Sequence, residues 1–103
     1  ELFAGMGGFR VALDKLGGRC VFASELDRFC VKNYQLNFGG DRPAGDICRI
    51  PSDWIPDHDV LVGGFPCQPF SSSGSREGTN DARGVLFREI ARILKDKQPK
   101  AFL

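Results

Sequence analysis

The sequence predicts an α/β fold in which helices are doubly wound on a mainly parallel sheet. Apolar stretches typical of strands alternate with amphipathic stretches of helical period along the whole length of 103 residues. The strand-like stretches are almost continuously apolar, as is usual for parallel strands that are buried on both faces. The length is suited to a single domain with its own core.

The first strand and helix are predicted within residues 1–18. "ELFA" is typical of the end of a strand, and the glycine-rich "GMGG" predicts a turn. Phe9, Leu13 and Leu16 then recur at the spacing of one helix face, and a pair of glycines follows them. We therefore expect a helix that the glycine pair ends.

The second unit follows the same plan. "RCVFASEL" predicts a strand, and Asp27 has a side chain that can cap the helix after it. Cys30, Tyr34 and Phe38 would share one face of that helix, because they are spaced four residues apart.

The remaining chain completes the alternation. Residues 39–57 are rich in Gly, Pro and Asp and predict a connection, with a short extended piece near "GDICRI". "HDVLVGG" predicts a strand, residues 65 to about 84 a long loop, and "KAFL" a last strand. Right-handed crossovers between such strands imply a Rossmann-like sheet. The helix before the last strand is predicted from its apolar positions, Leu86, Phe87, Ile90, Ile93 and Leu94.

Composition excludes several classes of protein. No apolar run approaches the roughly 20 residues that span a bilayer, and the net charge of +1 leaves a nucleic-acid partner open. The four cysteines form no C-x-x-C pair, and the single histidine, His58, has no cysteine close to it. We therefore predict no metal site and no disulfide framework. Cys20, Cys30 and Cys48 are interpreted as small buried hydrophobic residues.

Two features at the predicted strand ends indicate a nucleoside site. Gly5, Gly7 and Gly8 follow the first strand and would let a ligand approach the backbone, since they lack side chains. Glu25 ends the second strand, where an acidic residue accepts hydrogen bonds from ribose hydroxyls. The spacing G-x-G-G differs from that of dinucleotide enzymes and favours a cofactor without phosphates, such as S-adenosyl-L-methionine. A tight connection and a surface glutamate are the alternative interpretations.

The stretch "VLVGGFPCQPFSSSG" places a thiol directly after a buried strand. Pro66 and Pro69 restrict the backbone around Cys67, at the same edge of the sheet as the glycines. A nucleophilic cysteine needs thiolate character, and the alternative is a cysteine buried in a turn. The polar loop that follows contains Arg76 and Arg83, and its length is typical of a functional lid or a disordered linker, with an ordinary solvated loop as the alternative. The pair Asp46-Ile47 could close around a base or simply form an Asx turn.

These segments together resemble the DNA (cytosine-5)-methyltransferase family in its bacterial restriction-modification form. The resemblance begins with "ELFAGMGGFR" and "GFPCQPFSSSG", and "SELD", "GDI", "DARGVLFREIARIL" and "QPKAFL" fall in the family's order. It covers residues 1–103, which would be the N-terminal part of the catalytic domain, without the target-recognition domain. The departures are Leu26, where many members have an aromatic residue, and Glu1, where aspartate is common.

The resemblance implies a role for each matching position. The cofactor would be S-adenosyl-L-methionine, and Cys67 would be the nucleophile that attacks C6 of a cytosine flipped out of the duplex. The pocket for the cofactor would be formed by Phe3, Gly5, Gly8, Glu25, Leu26, Asp46, Ile47, Pro66 and Leu86. The DNA side of the site and its loop would include Gln68, Ser71, Ser73 and Arg83.

The resemblance also implies partners and a setting. We expect double-stranded DNA and the remainder of the methyltransferase chain as partners, no membrane and no metal, and a cytoplasmic, nucleoid-associated place in a bacterium. Later motifs of the family, including Glu-Asn-Val, are absent from these residues, so this fragment alone is expected to be inactive. A tRNA cytosine-5 methyltransferase and a non-catalytic nucleoside-binding module are the alternatives.

Overall fold

The computed structural model describes residues 1–65 and 82–103. Within them the chain is a small α/β structure with three α-helices, two short 3-10 helices and a two-stranded parallel sheet. The helices are α1 (Gly8–Lys15), α2 (Arg28–Asn37) and α3 (Ala82–Lys97), the 3-10 helices are Ile47–Arg49 and Ser52–Trp54, and the strands are β1 (Val60–Leu61) and β2 (Ala101–Phe102).

Single parallel bridges extend the pairing on one side of the two strands. Leu2 lies between Ser24 and Gly63 and bridges both, and Ser24 in turn bridges Ala44. β1 pairs with β2 in parallel, with Val60 opposite Ala101. The five extended segments are thus neighbours in the order third, second, first, fourth and fifth along the sequence.

The first two helices agree with their predicted signals. α1 ends before Gly17, whose φ of 84° only glycine adopts readily, and the amide of Gly18 donates to the Leu13 carbonyl at 2.9 Å. Leu16 is not on the buried helix face, because it caps the helix and is 82% exposed. α2 begins at the predicted cap: the Asp27 carboxylate accepts from the amides of the second and third helical residues.

Other local predictions were wrong in detail. The short extended piece predicted near "GDICRI" is present at Ala44, which bridges Ser24, but the chain then enters the 3-10 helix Ile47–Arg49, where the Asp46 side chain accepts from the Cys48 amide at 3.0 Å. The strands are shorter than the apolar stretches that predicted them. α3 begins at Ala82, within the predicted loop, and Phe87 on it is 62% exposed.

Two clusters of buried side chains fix the helices to the extended segments. In the first, α3 contributes Ile93, which is fully buried and packs with side chains of the first and fourth segments and of residues 47–55. In the second, α2 contributes Tyr34, which is 1% exposed and packs with Ala4 and Ala23. Burial of each large apolar side chain stabilises the fold by about 1.5–3 kcal/mol. The remaining buried members of the first cluster are Leu2, Ile47, Ile55 and Leu61.

The described cysteines are all free thiols. Cys20 and Cys30 are half-buried, but Cys48 is exposed, so its interpretation as a buried residue was wrong, because it lies on the outer side of a 3-10 helix. Residues 1–65 and 82–103 contain no helix with the length and apolar character to cross a membrane. Within the same residues no three His, Cys, Asp or Glu side chains are grouped as metal ligands.

Candidate functional site

The glycine turn, residues 5–8, leads from the first extended segment into α1. Gly5 and Gly7 have φ values of 58° and 91°, which lie in the left-handed region where a β-carbon is strained. The amide of Gly7 donates to the Ala4 carbonyl at 2.8 Å, and the Asn37 side chain donates to the Met6 carbonyl at 3.0 Å. The turn is therefore fixed from both sides, by its own backbone and by the end of α2.

Gly7 is buried against the aromatic face of α2. A β-carbon at this position would lie 2.6 Å from Cζ of Phe38 and closer still to Cε2. The Phe38 ring has little room to move, because the Arg10 guanidinium lies 4.2 Å from its centroid and also donates to the Tyr34 hydroxyl at 3.0 Å. Arg10 forms an ion pair with Asp41 at 2.9 Å as well. This packing holds the start of α1 against α2.

Glu25 meets the glycine turn directly. The amide of Gly5 donates to Oε2 of Glu25 at 2.7 Å, although 20 residues separate them in sequence. Oε1 accepts from the amides of Leu26 and Asp27, both at 2.8 Å. A carboxylate accepts about four hydrogen bonds, and the chain itself supplies three of them. The orientation of the carboxylate is thus fixed, and Oε2 retains room for one hydroxyl donor.

The space around these groups is open. A β-carbon built on Gly5 or on Gly8 would meet no atom within 4 Å, so the turn opens onto free space. Beside Glu25 lies a cavity of about 310 Å³, with Leu26 and Pro43 as apolar wall residues. The wall is mixed in character, because Arg28, Lys32 and Arg42 line it as well.

The segment that contains Asp46 and Ile47 borders the same edge. The amide of Glu25 donates to the Ala44 carbonyl at 2.8 Å, which places the start of this segment beside the acid. The Asp46 side chain caps its own 3-10 helix, as the Asx-turn interpretation expects. Ile47 as a whole is only 3% exposed and its side chain belongs to the core, so the side chain does not line the open space beside Glu25.

An aromatic contact connects the glycine turn with the segment before the thiol. The rings of Phe3 and Phe65 lie edge to face, with centroids 6.2 Å apart. Phe3 has a left-handed φ of 54°, which is uncommon for a residue with a β-carbon and indicates that its environment fixes the backbone there. Phe65 precedes Cys67 by two residues in sequence. The ring contact therefore places residue 65 beside the segment that leads into the glycine turn.

Several predicted site residues are not brought together by the described structure. Leu86 is half-buried on α3, and Arg83 lies in the first turn of the same helix. Five of the predicted residues lie outside the described residues, namely Pro66, Cys67, Gln68, Ser71 and Ser73.

The thiols that are described have surroundings that disfavour nucleophilic chemistry. Burial raises the pKa of Cys30, and the nearby Glu25 and Asp27 raise it further. Burial also raises the pKa of Cys48, beside Asp46. A raised pKa lowers the fraction of thiolate at neutral pH, so neither group is suited to attack an electrophile.

A larger cavity, of about 450 Å³, lies away from this site. Its wall is formed by parts of α1, by residues 17–22 and by residues 55–62, and none of Gly5, Glu25 or Phe65 contributes to it. Of these three residues, only Glu25 lines the smaller cavity.

Three contributors to the site were missed from the sequence. The Arg10 guanidinium lies over the Phe38 ring, and the Phe65 ring contacts Phe3. Both contacts join residues that are far apart in sequence, so no local pattern predicts them. Arg92 donates to the carbonyls of Ile47 and Ile50 at 3.1 and 3.0 Å. The four-residue spacing of Tyr34 and Phe38 on α2 was the one available signal, since it places both rings on the face that meets α1.

Comparisons with known proteins agree on one family. The family described as C-5 cytosine-specific DNA methylase matches residues 1–103. Type II methyltransferase M.DsaV of Dactylococcopsis salina is 50% identical over 103 residues, which are 100% of this chain and 29% of the relative. M1.ScrFI of Lactococcus lactis subsp. cremoris is 56% identical over an alignment of 104 residues that covers 100% of this chain and 26% of the relative.

A third relative, type II methyltransferase M.HhaI of Haemophilus parahaemolyticus, is 51% identical over 100 residues, which are 97% of this chain and 30% of the relative. The chain thus spans less than a third of the length of these three proteins. The match with the family extends over the glycine turn, Glu25 and the proline-cysteine-glutamine segment. This chain belongs to the C-5 cytosine-specific DNA methylase family.

Proposed function

We propose that the protein that carries this chain is a DNA (cytosine-5-)-methyltransferase that transfers a methyl group from S-adenosylmethionine to C5 of cytosine. The observation that supports it most is the 2.7 Å hydrogen bond from the Gly5 amide to Glu25, which joins the glycine turn and the acid into one site. Membership of the family and relatives that are named type II methyltransferases agree with this activity.

The proposed fold is Rossmann-like and doubly wound. The order third, second, first, fourth and fifth among the extended segments is the order of the doubly wound dinucleotide-binding folds. Helices α2 and α3 pack on separate clusters, which agrees with cover on both faces of the sheet. In such sheets ligands bind at the carboxyl ends of the strands, and Gly5 and Glu25 lie at those ends. Residues 1–103 would form the N-terminal, cofactor-binding and nucleophile-bearing part of a catalytic domain.

Glu25 and its neighbours would hold the cofactor. Oε2 of Glu25 has one acceptor position left, which suits a ribose hydroxyl, and Leu26 would contact the adenine. The backbone at Gly5 and Gly8 would admit the amino-acid portion, because no atom lies near either α-carbon on that side. When bound, S-adenosylmethionine supplies a methyl group on a sulfonium, which is strongly electrophilic. The other proposed contacts are Phe3, Asp46, Ile47, Pro66 and Leu86.

Cys67 would be the nucleophile. The C5 atom of cytosine is a weak nucleophile, so the thiolate first forms a bond from Sγ to C6, and the pair of electrons from the C5–C6 double bond becomes available at C5. C5 would then take the methyl group, and the electrons of the broken sulfur–methyl bond would stay on sulfur, which would leave as a neutral thioether. Loss of the proton from C5 and expulsion of the thiolate restore the double bond. The cytosine must leave the base stack for Sγ to reach C6, at a cost of a few kcal/mol.

Double-stranded DNA and the remaining part of a methyltransferase chain are the proposed partners. Arg83 at the start of α3, with Gln68, Ser71 and Ser73, would lie on the DNA side. We propose a place in a restriction-modification system in the bacterial cytoplasm, on nucleoid DNA, because the relatives are type II methyltransferases of bacteria.

Covalent trapping tests the proposal. With duplex DNA that contains 5-fluorocytosine, fluorine at C5 blocks the final elimination, and we expect a stable adduct between protein and DNA that requires S-adenosylmethionine. Cys67→Ser should form none, whereas Cys48→Ser, which changes an exposed thiol, should form as much as the wild type. An adduct in Cys67→Ser would refute the assignment of the nucleophile, and methyl transfer to tRNA in place of DNA would refute the substrate.

A further inference from the structure

One side chain of α3 connects the core of the protein to the wall of the proposed cofactor site. The Arg92 guanidinium donates from Nη2 to the carbonyls of Ile47 and Ile50, and from Nη1 to the Ser52 hydroxyl at 2.7 Å. Glu89, one turn earlier on α3, holds the guanidinium by accepting from Nε at 2.9 Å and from Nη2 at 2.6 Å. All the nitrogens of Arg92 are therefore engaged.

The acceptors of Arg92 belong to a segment that the core side chains Ile47 and Ile55 also hold. Residues 47–54 form two 3-10 helices of three residues each, which have few hydrogen bonds of their own. The Ser52 hydroxyl continues the network and donates to Asp96 at 2.5 Å. The guanidinium suits this arrangement because its five N–H donors lie in one fixed plane, whereas a lysine ammonium is a compact charge on a flexible stem.

This segment is continuous with the wall beside Glu25. Ile47, whose carbonyl accepts from Arg92, follows Asp46, and the carbonyl of Ala44 accepts from the Glu25 amide at 2.8 Å. Residues 44–47 are thus anchored at one end to the acid of the proposed cofactor site and at the other to α3. A shift of the Arg92 end would be transmitted along this backbone to Gly45, which lines the cavity beside Glu25.

We propose that Arg92 is a positioning residue for cofactor binding, which holds residues 44–47 in the place that the cofactor requires. The proposal rests on the proposed function, because it assigns the wall beside Glu25 to S-adenosylmethionine. The side chain is 28% exposed and lies on the core side of the segment, so it acts through the backbone of Ile47 and touches no reacting atom.

Calorimetric binding of S-adenosylhomocysteine to the protein that carries this chain tests the proposal. Arg92→Met should raise the Kd about tenfold, because the cofactor must then order backbone that Arg92 no longer holds, and fixing one residue costs about that factor. Arg92→Lys keeps the charge without the fork and should give an intermediate Kd. Lys97→Met removes an ion pair from the same helix to Asp57, at 3.5 Å, and should leave the Kd within about twofold of the wild-type value.

Steady-state kinetics separate positioning from general damage. The KM for S-adenosylmethionine should rise about tenfold in Arg92→Met, while kcat at saturating cofactor and the KM for DNA stay within about twofold. The proposal would be overturned if kcat fell and the KM for DNA rose as much as the KM for S-adenosylmethionine. It would also be overturned if both Arg92 variants bound S-adenosylhomocysteine with the wild-type Kd. If the wild-type protein itself fails to bind S-adenosylhomocysteine, the proposed function fails instead. Should Arg92→Met not fold, Arg92→Lys gives the deciding value.

Discussion

Replacement of Gly7 by alanine should destabilise the protein by an amount that the structure divides into two parts. The backbone at Gly7 has a φ of 91°, and a β-carbon in the left-handed region costs about 1–2 kcal/mol. The same β-carbon would lie 2.6 Å from Cζ of Phe38, and overpacking of this kind costs about 1–3 kcal/mol. The Phe38 ring cannot easily yield, because the Arg10 guanidinium also lies over it, 4.2 Å from its centroid.

The expected loss for Gly7→Ala is therefore about 2–5 kcal/mol in the free energy of unfolding. Gly17→Ala is a matched control, since Gly17 has a similar φ of 84° but no atom within 4 Å of the added β-carbon. It should lose only the conformational part, about 1–2 kcal/mol. Equilibrium unfolding in urea, with both variants in the protein that carries this chain, measures the two losses.

The difference between the two variants measures the contact with Phe38. A second variant with Phe38→Leu in the Gly7→Ala background should recover part of the loss, because leucine leaves room for the added methyl group. If Gly7→Ala and Gly17→Ala lose the same free energy, or if Phe38→Leu recovers nothing, the packing of the glycine turn on α2 is not what restricts position 7.

Two further substitutions test the carboxylate and the phenol of the site region. Glu25→Gln loses an acceptor for the amides of Gly5 or Leu26 together with the charge, so the Kd for S-adenosylhomocysteine should rise about 10- to 100-fold; equal Kd values in calorimetry would contradict the role of the acid. Burial raises the pKa of Tyr34 to about 12. The folded state then holds the phenol proton more tightly than the unfolded state, so the stability that Tyr34 contributes is complete below about pH 10 and declines as the pH rises towards 12. Tyr34→Phe should lose this decline in urea unfolding between pH 9 and 12, and a decline of the same size in the variant would mean that another group causes it.

The sequence was sufficient where a structure depends on neighbouring residues. Residues within a few positions of one another determine three of the predicted features. These are the Asp27 cap, the end of α1 before Gly17 and the buried face of α2. The approach of Glu25 to the glycine turn was also predictable, because parallel strands end at a common edge and both residues follow strands.

The sequence was insufficient where distant groups decide the conformation. "GDICRI" has the composition of a strand, but the Asp46 cap and the carbonyl contacts of Arg92 favour a 3-10 helix there. Ile47 was predicted at the cofactor by resemblance, yet its side chain is in the core, which only the position of α3 determines. The contact of Phe3 with Phe65 depends on a left-handed residue that no pattern predicts.

The position of Leu2 has a consequence for how the molecule assembles. The Leu2 amide donates to the Val62 carbonyl at 2.8 Å, and the Ala4 amide donates to the Ser24 carbonyl at 3.0 Å. Residues 2–4 are thus the seam, the segment that joins the earlier and later halves of the chain by backbone hydrogen bonds. The hydrogen bonds of residues 2 and 4 join segments that are far apart in sequence. Such contacts slow folding, because the intervening loops must close before the contacts form. Loss of the seam would leave each half with an unsatisfied edge, and edges of that kind recruit strands from other molecules.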